Sequence, residues 1–334
     1  MGEFDSIGKI RALAGKAGPS SLLSLGIGDD CCLLDSPGEG TLALSTDTMV
    51  EGVHFSTSYF SWRQAAVRAV AAAISDLAAM AARPVCMLAA ASVPKASGAQ
   101  IVDELSGGLL DAASRWSCPL AGGDLTSTAG PVTLTITVVG RCAPGAAITR
   151  GGATAGEEIW ITDQCGDPSA VIESLEEADA DPAPLLESIP EVALDSLFSP
   201  VPRLAEAAEL LALGPPTAMI DVSDGVAADL GHILEESGVG ATLEAKALPA
   251  GDYCRGRALK KGLKPWHYCL YGGEDFQLLF TLPSGKIDGS ALELDCGATV
   301  TQIGRTTATV GELMLQDEHG ALSPLPRKGF DHLN

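Results

Sequence analysis

Acidic side chains stand where this chain should be burying apolar ones. In "STDTMVEGVHF" (45–55) the alternation of Leu42, Leu44 and Thr46 marks a strand running into a loop. Asp47, Glu51 and His54 then follow among Val and Met. "GIGDDCCLLD" sets Asp29 and Asp30 directly before an apolar run. Asp76 has Ala72, Ala73, Ala79 and Met80 at its i±3 and i±4 positions in an Ala-rich helical segment. Asp124 ends a short strand at Gly122–Gly123, a pair that lets a ligand approach the backbone closely. Asp221 and Asp224 frame "DVSDG", and Glu274 and Asp275 follow Gly272–Gly273. A lone carboxylate is costly to bury. Each of these acids is therefore a surface, cap or turn residue, or else a ligand. Asp224 can cap the helix that follows it; that reading leaves Asp221, at the inner end of a strand, unexplained.

If these acids converge, several carboxylates share one pocket, and bare they raise each other's pKa. Divalent cations remove that cost. An all-oxygen set with no Cys/His cluster points to the hard ions Mg²⁺ or Ca²⁺. The spacing of a calcium-binding EF-hand loop is absent, which leaves Mg²⁺, an ion that keeps open positions for substrate phosphates. The common phosphate devices are missing too: there is no P-loop and no kinase Gly-rich loop or H-R-D motif. Lys is scarce near these acids, so Arg150 in "ITRGGA" is the best-placed cation. His54 beside Glu51 is either a phosphate contact or a structural loop residue.

The elements that must hold these residues follow from periodicity. Segment 61–84 predicts a helix: Ser61 can cap it, Val67, Val70, Ile74 and Leu77 keep a helical period, and Pro84 stops it. "PVCMLAAASVP" predicts a buried strand, "QIVDELSGGLLDAASRW" a helix and "PVTLTITVVGRC" a cleanly alternating strand. Strand–turn–helix follows at "PPTAMIDVSDGVAADLGHILEESGVG", and a tight turn into a strand at "YGGEDFQLLFTLP". "DADPAPLLESIPE" reads as an acidic surface loop or lid. The class is α/β and α+β, with a domain boundary at residue 148 separating 1–148 from 149–334.

Composition narrows the partners. A net charge of −22 repels nucleic acid and anionic membrane, and equally a free anionic substrate unless cations accompany it. Nine cysteines, an odd number with no C-x-x-C, read as small buried hydrophobes in a reducing cytoplasm. No apolar run reaches the ~18 residues of a membrane span, and "MGEFDSIGKI" offers no signal-peptide core. A cytoplasmic protein is expected.

"GIGDDCCLLD", "STDTMVEGVHF", "AISDLAAMAARP", "LAGGDLTS", "ITRGGA", "IDVSDGVAADLGHI", "GGEDFQLLFT" and "IGR" resemble, in order, the motifs of the thiamine-monophosphate kinase family. That family lies within the aminoimidazole ribonucleotide synthetase superfamily. The resemblance implies a two-domain fold: an N-terminal ATP/Mg-binding domain whose strands form a barrel across a homodimer, then a C-terminal α+β domain. It implies the reaction of ATP with thiamine monophosphate to give ADP and thiamine diphosphate, with several Mg²⁺ ions. By motif, Asp30, Asp47, Asp76, Asp124 and Asp221 would ligate Mg²⁺, with Ser45, Thr46 and Asp224 as lesser ligands; Asp47, Asp124 and Asp221 would be the catalytic set. Gly123, Asp124, Arg150 and Ser223 would hold the nucleotide. His54, Glu274 and Phe330 would meet thiamine phosphate, Phe330 by stacking. The attacking phosphate oxygen is already ionised at neutral pH, so alignment and charge neutralisation carry the reaction, with no covalent intermediate.

The chain departs from the family pattern at Ser106, where an aromatic is usual, at Cys31–Cys32, and at Phe276–Gln277. At the last pair a Tyr–Glu is usual and a polar contact behind the site is expected to be lost. Three other readings stand beside the kinase. A sister enzyme of the superfamily is one, although "DHLN" lacks the Cys-bearing tail of hydrogenase maturation proteins and neither Lys9 nor Lys16 neighbours a reactive Cys. A non-catalytic nucleotide and metal sensor is the second. A metal-dependent phosphohydrolase is the third.

Overall fold

The computed structural model describes residues 3–14, 22–36, 40–178 and 182–329. Two sheets carry it. The first has strands β1 (Leu23–Leu25), β2 (Cys32–Ser36), β3 (Gly40–Val50), β4 (Arg83–Pro94), β5 (Leu120–Thr128) and β6 (Thr133–Cys142), in the spatial order β1-β2-β3-β6-β4-β5. All its pairs are antiparallel except β4–β5. The second has β7 (Glu158–Thr162), β8 (Ala218–Val222), β9 (Gly240–Glu244), β10 (Gln277–Leu282), β11 (Ala291–Glu293), β12 (Thr299–Thr307), β13 (Leu313–Gln316) and β14 (Leu322–Pro324). Its order is β14-β13-β9-β12-β7-β10-β8, with β11 on β12. The helices are α1 (Glu3–Ala14), α2 (Trp62–Ala79), α3 (Gly98–Arg115), α4 (Asp167–Glu176), α5 (Ala183–Leu186), α6 (Glu191–Phe198), α7 (Leu204–Leu213), α8 (Val226–Ser237), α9 (Asp252–Lys260) and α10 (His267–Tyr271).

Strand β6 sets the geometry of the first sheet. Its strict alternation buries Leu134, Ile136 and Val138 under α2 and turns Thr133, Thr135 and Thr137 to the other face. Register then assigns every neighbour a face. Ser45, Asp47 and Met49 of β3 lie opposite Val138, Ile136 and Leu134, so they share the helix-facing side. Thr46 and Thr48 lie opposite Thr137 and Thr135 and share the open side.

Helix α2 starts as its sequence predicts. Ser61 and Gln64 form a reciprocal capping box. Alanine on nearly every face lets other elements close around it, so thirteen of its residues are buried. Val70, Ile74 and Leu77 join the first sheet's core, and Ala78 and Ala79 pack with Trp160, Met219 and Phe280 of the second. One helix is therefore wedged between both sheets. The acidic segment near 182–191 contains the short helix α5 and is not simply a loop.

The Gly-Gly-Asp stretch differs from expectation. Residues 122–124 lie inside β5, not in a turn at its end. Gly123 is required there by packing: a Cβ would stand 1.8 Å from the Ala89 carbonyl oxygen of β4. No helix among the described residues is long and apolar enough to cross a membrane. All nine cysteines are free thiols, six of them buried.

Candidate active site

Three of the anticipated acids meet. One carboxylate oxygen each from Asp30, Asp76 and Asp221 lies within 4.8 Å of the other two. Asp30 comes from the turn before β2, Asp76 from the last turns of α2, and Asp221 from the end of β8. Chain segments nearly two hundred residues apart thus converge where α2 crosses between the sheets. Asp30 and Asp221 are buried and Asp76 half-buried.

The electrostatics show a cluster short of positive charge. Desolvation, then the charges of Asp47, Asp221 and Asp30, hold the Asp76 carboxyl well above the usual range. Asp221 is pushed up to about 8, by burial first and by Asp30 next. Asp47, on the helix-facing side of β3, is pushed up to about 6 by burial and by Glu274. Asp29 rises to about 6 through burial and Asp30. Against these stand few donors. The Ser45 hydroxyl donates to Asp76. The Arg150 guanidinium donates to Asp30 at 2.7 Å, and its backbone N–H donates to Asp29 at 3.0 Å. The second Asp30 oxygen is buried without a partner. An all-carboxylate, underneutralised group with a free oxygen fits a hard divalent cation such as Mg²⁺.

The remaining anticipated residues fall into two groups. Ser45, Asp47, Arg150 and Glu274 border the cluster by hydrogen bond or charge. Ser223 lies two residues beyond Asp221, and its carbonyl accepts the Glu274 N–H at 2.8 Å. The Thr46 side chain is not turned to the cluster: it faces the open side of the sheet and hydrogen-bonds Thr137. Asp124 is exposed on edge strand β5, level with Ala90 and Thr135 on that same open side. Three strand spacings, about 14 Å, separate it from Asp47. Gly123 lies beside it. Asp224 does not cap α8. Gly225 holds the cap position, and Asp229 in the first turn accepts the Asp224 N–H at 3.1 Å. The His54 imidazole accepts the Val50 N–H at 3.0 Å. Phe330 lies outside the described residues.

Two expectations about neighbours change. Gln277 keeps a polar contact behind the site, because its side-chain carbonyl accepts the Thr162 hydroxyl at 2.7 Å. Arg68, which the sequence reading passed over, is fully buried and paired with Glu274. Its signal was available: within the interior of α2, Arg68 and Asp76 are the charged residues among alanines. Asp229, 2% exposed, was also missed; an acid in a helix's first turn carries no local mark of burial.

Three carboxylates meet where α2 crosses between the two β-sheets, a donor set of the kind that suits a hard cation. Residues 28–142 match the family model described as AIR synthase related protein, N-terminal domain. Thiamine-monophosphate kinase from Escherichia coli (strain K12) is 36% identical over 321 residues, 93% of this chain and 92% of that protein. The Bacillus subtilis (strain 168) enzyme of that name is 29% identical, covering 99% of each. The solved structure "AaThiL complexed with AMPPCP and TMP" superposes with a TM-score of 0.82 at 25% identity, over 99% of this chain and 97% of that one. A HypE–HypF complex shares the fold at 18% identity and a TM-score of 0.72, over 95% of this chain and 99% of that one. The chain belongs to the thiamine-monophosphate kinase family.

Proposed function

We propose that this protein transfers the γ-phosphoryl group of ATP to the phosphate of thiamine monophosphate, giving ADP and thiamine diphosphate. The observation that carries it is the convergence of Asp30, Asp76 and Asp221, with Asp47 beside them, in a chain of this family. These carboxylates would hold Mg²⁺, whose charge offsets the repulsion between two phosphate groups. Arg150, Gly123 and Ser223 would hold the nucleotide phosphates. His54, Glu274 and Phe330 would orient thiamine monophosphate, and Asp224 would be a lesser metal ligand. The acceptor oxygen is ionised at neutral pH, so no side chain need remove a proton. The residues align two anions and exclude water. The boundary between the two halves is placed at residue 148, between the end of β6 and the start of β7.

A homodimer reconciles Asp124 and Thr46 with this reading. Both lie on the open face of the first sheet, with exposed Thr48, Leu88 and Ala90. Among the described residues β5 has no neighbour on its outer edge. A second copy that covers this face and edge closes a barrel and brings its own Asp124 toward the other subunit's cluster. Mixing Asp47→Asn and Asp124→Asn subunits tests it. Shared sites restore about one quarter of wild-type activity, whereas sites built within one subunit restore none.

A coupled ADP-release assay offering thiamine monophosphate, thiamine and a purine intermediate in turn tests the reaction itself. ADP and thiamine diphosphate in equal amounts, with thiamine monophosphate alone, are expected. Inorganic phosphate released without an acceptor would make the protein a phosphohydrolase instead.

A further inference from the structure

The turn before β10 is built under constraint. The Glu274 and Phe276 N–H groups donate to the Ser223 and Val222 carbonyls, both at 2.8 Å. Glu274 and Phe276 both adopt left-handed φ, 73° and 50°, a conformation unfavourable for residues with side chains. Only glycine fits at 273, since a Cβ there would stand 2.1 Å from the Ser223 carbonyl oxygen. This backbone aims the Glu274 side chain at α2.

What meets it there is Arg68, with a side chain wholly removed from solvent. One Arg68 nitrogen, Nη2, pairs with the Glu274 carboxylate. The other, Nη1, donates to the Leu197 carbonyl of α6 at 2.6 Å. The guanidinium lies 5.7 Å from the Phe60 ring centre and 6.0 Å from that of Phe276. Burying a guanidinium is costly unless it is paired. An alanine-lined helix that accepts this cost does so at the one point where it meets Glu274. The Glu274 side chain remains 29% exposed, so it can still be reached by a ligand. Eight residues along the same helix, about 12 Å, lies Asp76.

We infer that Arg68 is a positioning residue for the acceptor end of the site: its guanidinium fixes the Glu274 carboxylate and cancels its charge. It also ties that carboxylate to the helix carrying Asp76. The inference rests on the placement of Glu274 at thiamine monophosphate. An uncompensated Glu274 would repel the acceptor phosphate, while the neutral Arg68–Glu274 pair can accept hydrogen bonds from the organic part of the substrate without that penalty. Lysine keeps the charge but loses the planar fork that reaches Leu197 and Glu274 together.

Full-length Arg68→Met, Arg68→Lys and Glu274→Gln enzymes, and the Arg68→Met/Glu274→Gln double variant, test this with ATP and thiamine monophosphate varied separately. Arg68→Met is expected to raise KM for thiamine monophosphate at least about tenfold while KM for ATP stays within about twofold. Arg68→Lys recovers part of that loss. The double variant binds thiamine monophosphate better than Arg68→Met alone, because Gln removes the stranded charge. If Arg68→Met does not fold, Arg68→Lys carries the test, with an expected rise of about threefold in the same KM. Equal effects on both substrates, or strictly additive losses in the double variant, overturn the inference. A changed Glu274→Gln enzyme beside unchanged Arg68 variants also overturns it, alone. An unchanged Glu274→Gln enzyme overturns it together with the placement of Glu274.

Discussion

Two groups of acids in this molecule have opposite fates. Glu173 on α4 and Glu177, the residue that follows its last turn, face Arg257 and Lys261 of the α9 region. Burial alone would raise Glu173, but hydrogen bonds from Lys261, Tyr268 and Arg257 bring it down to about 2. For relief Asp76 has the Ser45 hydroxyl, and Asp221 has the Ser75 hydroxyl and the charge of Arg150, yet both stand far above the ordinary carboxylate range. The first group carries its cations in its own sequence. The second lacks such partners, which is what the proposed metal site requires, while the first is a brace.

Replacing a member of each group tests this contrast. The largest effect belongs to Asp221→Asn and Asp76→Asn. Each should lower kcat at least about 10³-fold, while the melting temperature of the metal-free protein holds or rises because one repelling charge is gone. Calorimetry in chelator beside steady-state kinetics reads both. A loss of stability alongside activity would erase the distinction between site and brace.

The next effect is on pH. Asp221 at about 8 and Asp47 at about 6 lie above their unfolded values near 4. The folded state therefore holds extra protons between about pH 4 and pH 8, and stability falls as pH rises through that window. Melting curves without divalent ion should decline accordingly. Mg²⁺ should flatten them, and its apparent affinity should strengthen from pH 6 to pH 8 as protons leave its ligands. A flat metal-free profile would mean that these carboxylates are not crowded.

The smallest effect is expected of Glu173→Gln. Partly exposed ion pairs are each worth less than about 1 kcal/mol, so chemical denaturation should register a small loss and turnover should stay within about twofold. A large fall in turnover would break the contrast by showing that α4 and α9 also support the site.

Much of this was readable in advance, for identifiable reasons. Ser61 with Gln64, and the period through Val70, Ile74 and Leu77, define α2 because capping and periodicity are local properties. The alternation of 132–142 defines β6 for the same reason. Asp124 was misjudged because glycines suggest a turn when read alone; here Gly123 serves a close approach to Ala89 on a strand 34 residues earlier. The family motif groups Thr46 with Asp47 as a ligand, yet in a strand adjacent residues face opposite ways. Asp224 resembled a cap, but Asp229 reaches back to its backbone instead. The role of Arg68 is not legible locally, since its partners, Leu197 and Glu274, lie 129 and 206 residues away.

By itself the sequence determined which acids are out of place, which segments are helix and strand, and that hard cations rather than thiolates or lysines are the natural remedy. These follow from residue type and from interactions within a few positions along the chain. Only the tertiary structure decided that Asp30, Asp76 and Asp221 share a site while Asp124 faces away, and that a buried arginine answers Glu274. Strand register and helix crossing fix which side chains meet, and both depend on free energies summed over contacts between distant segments.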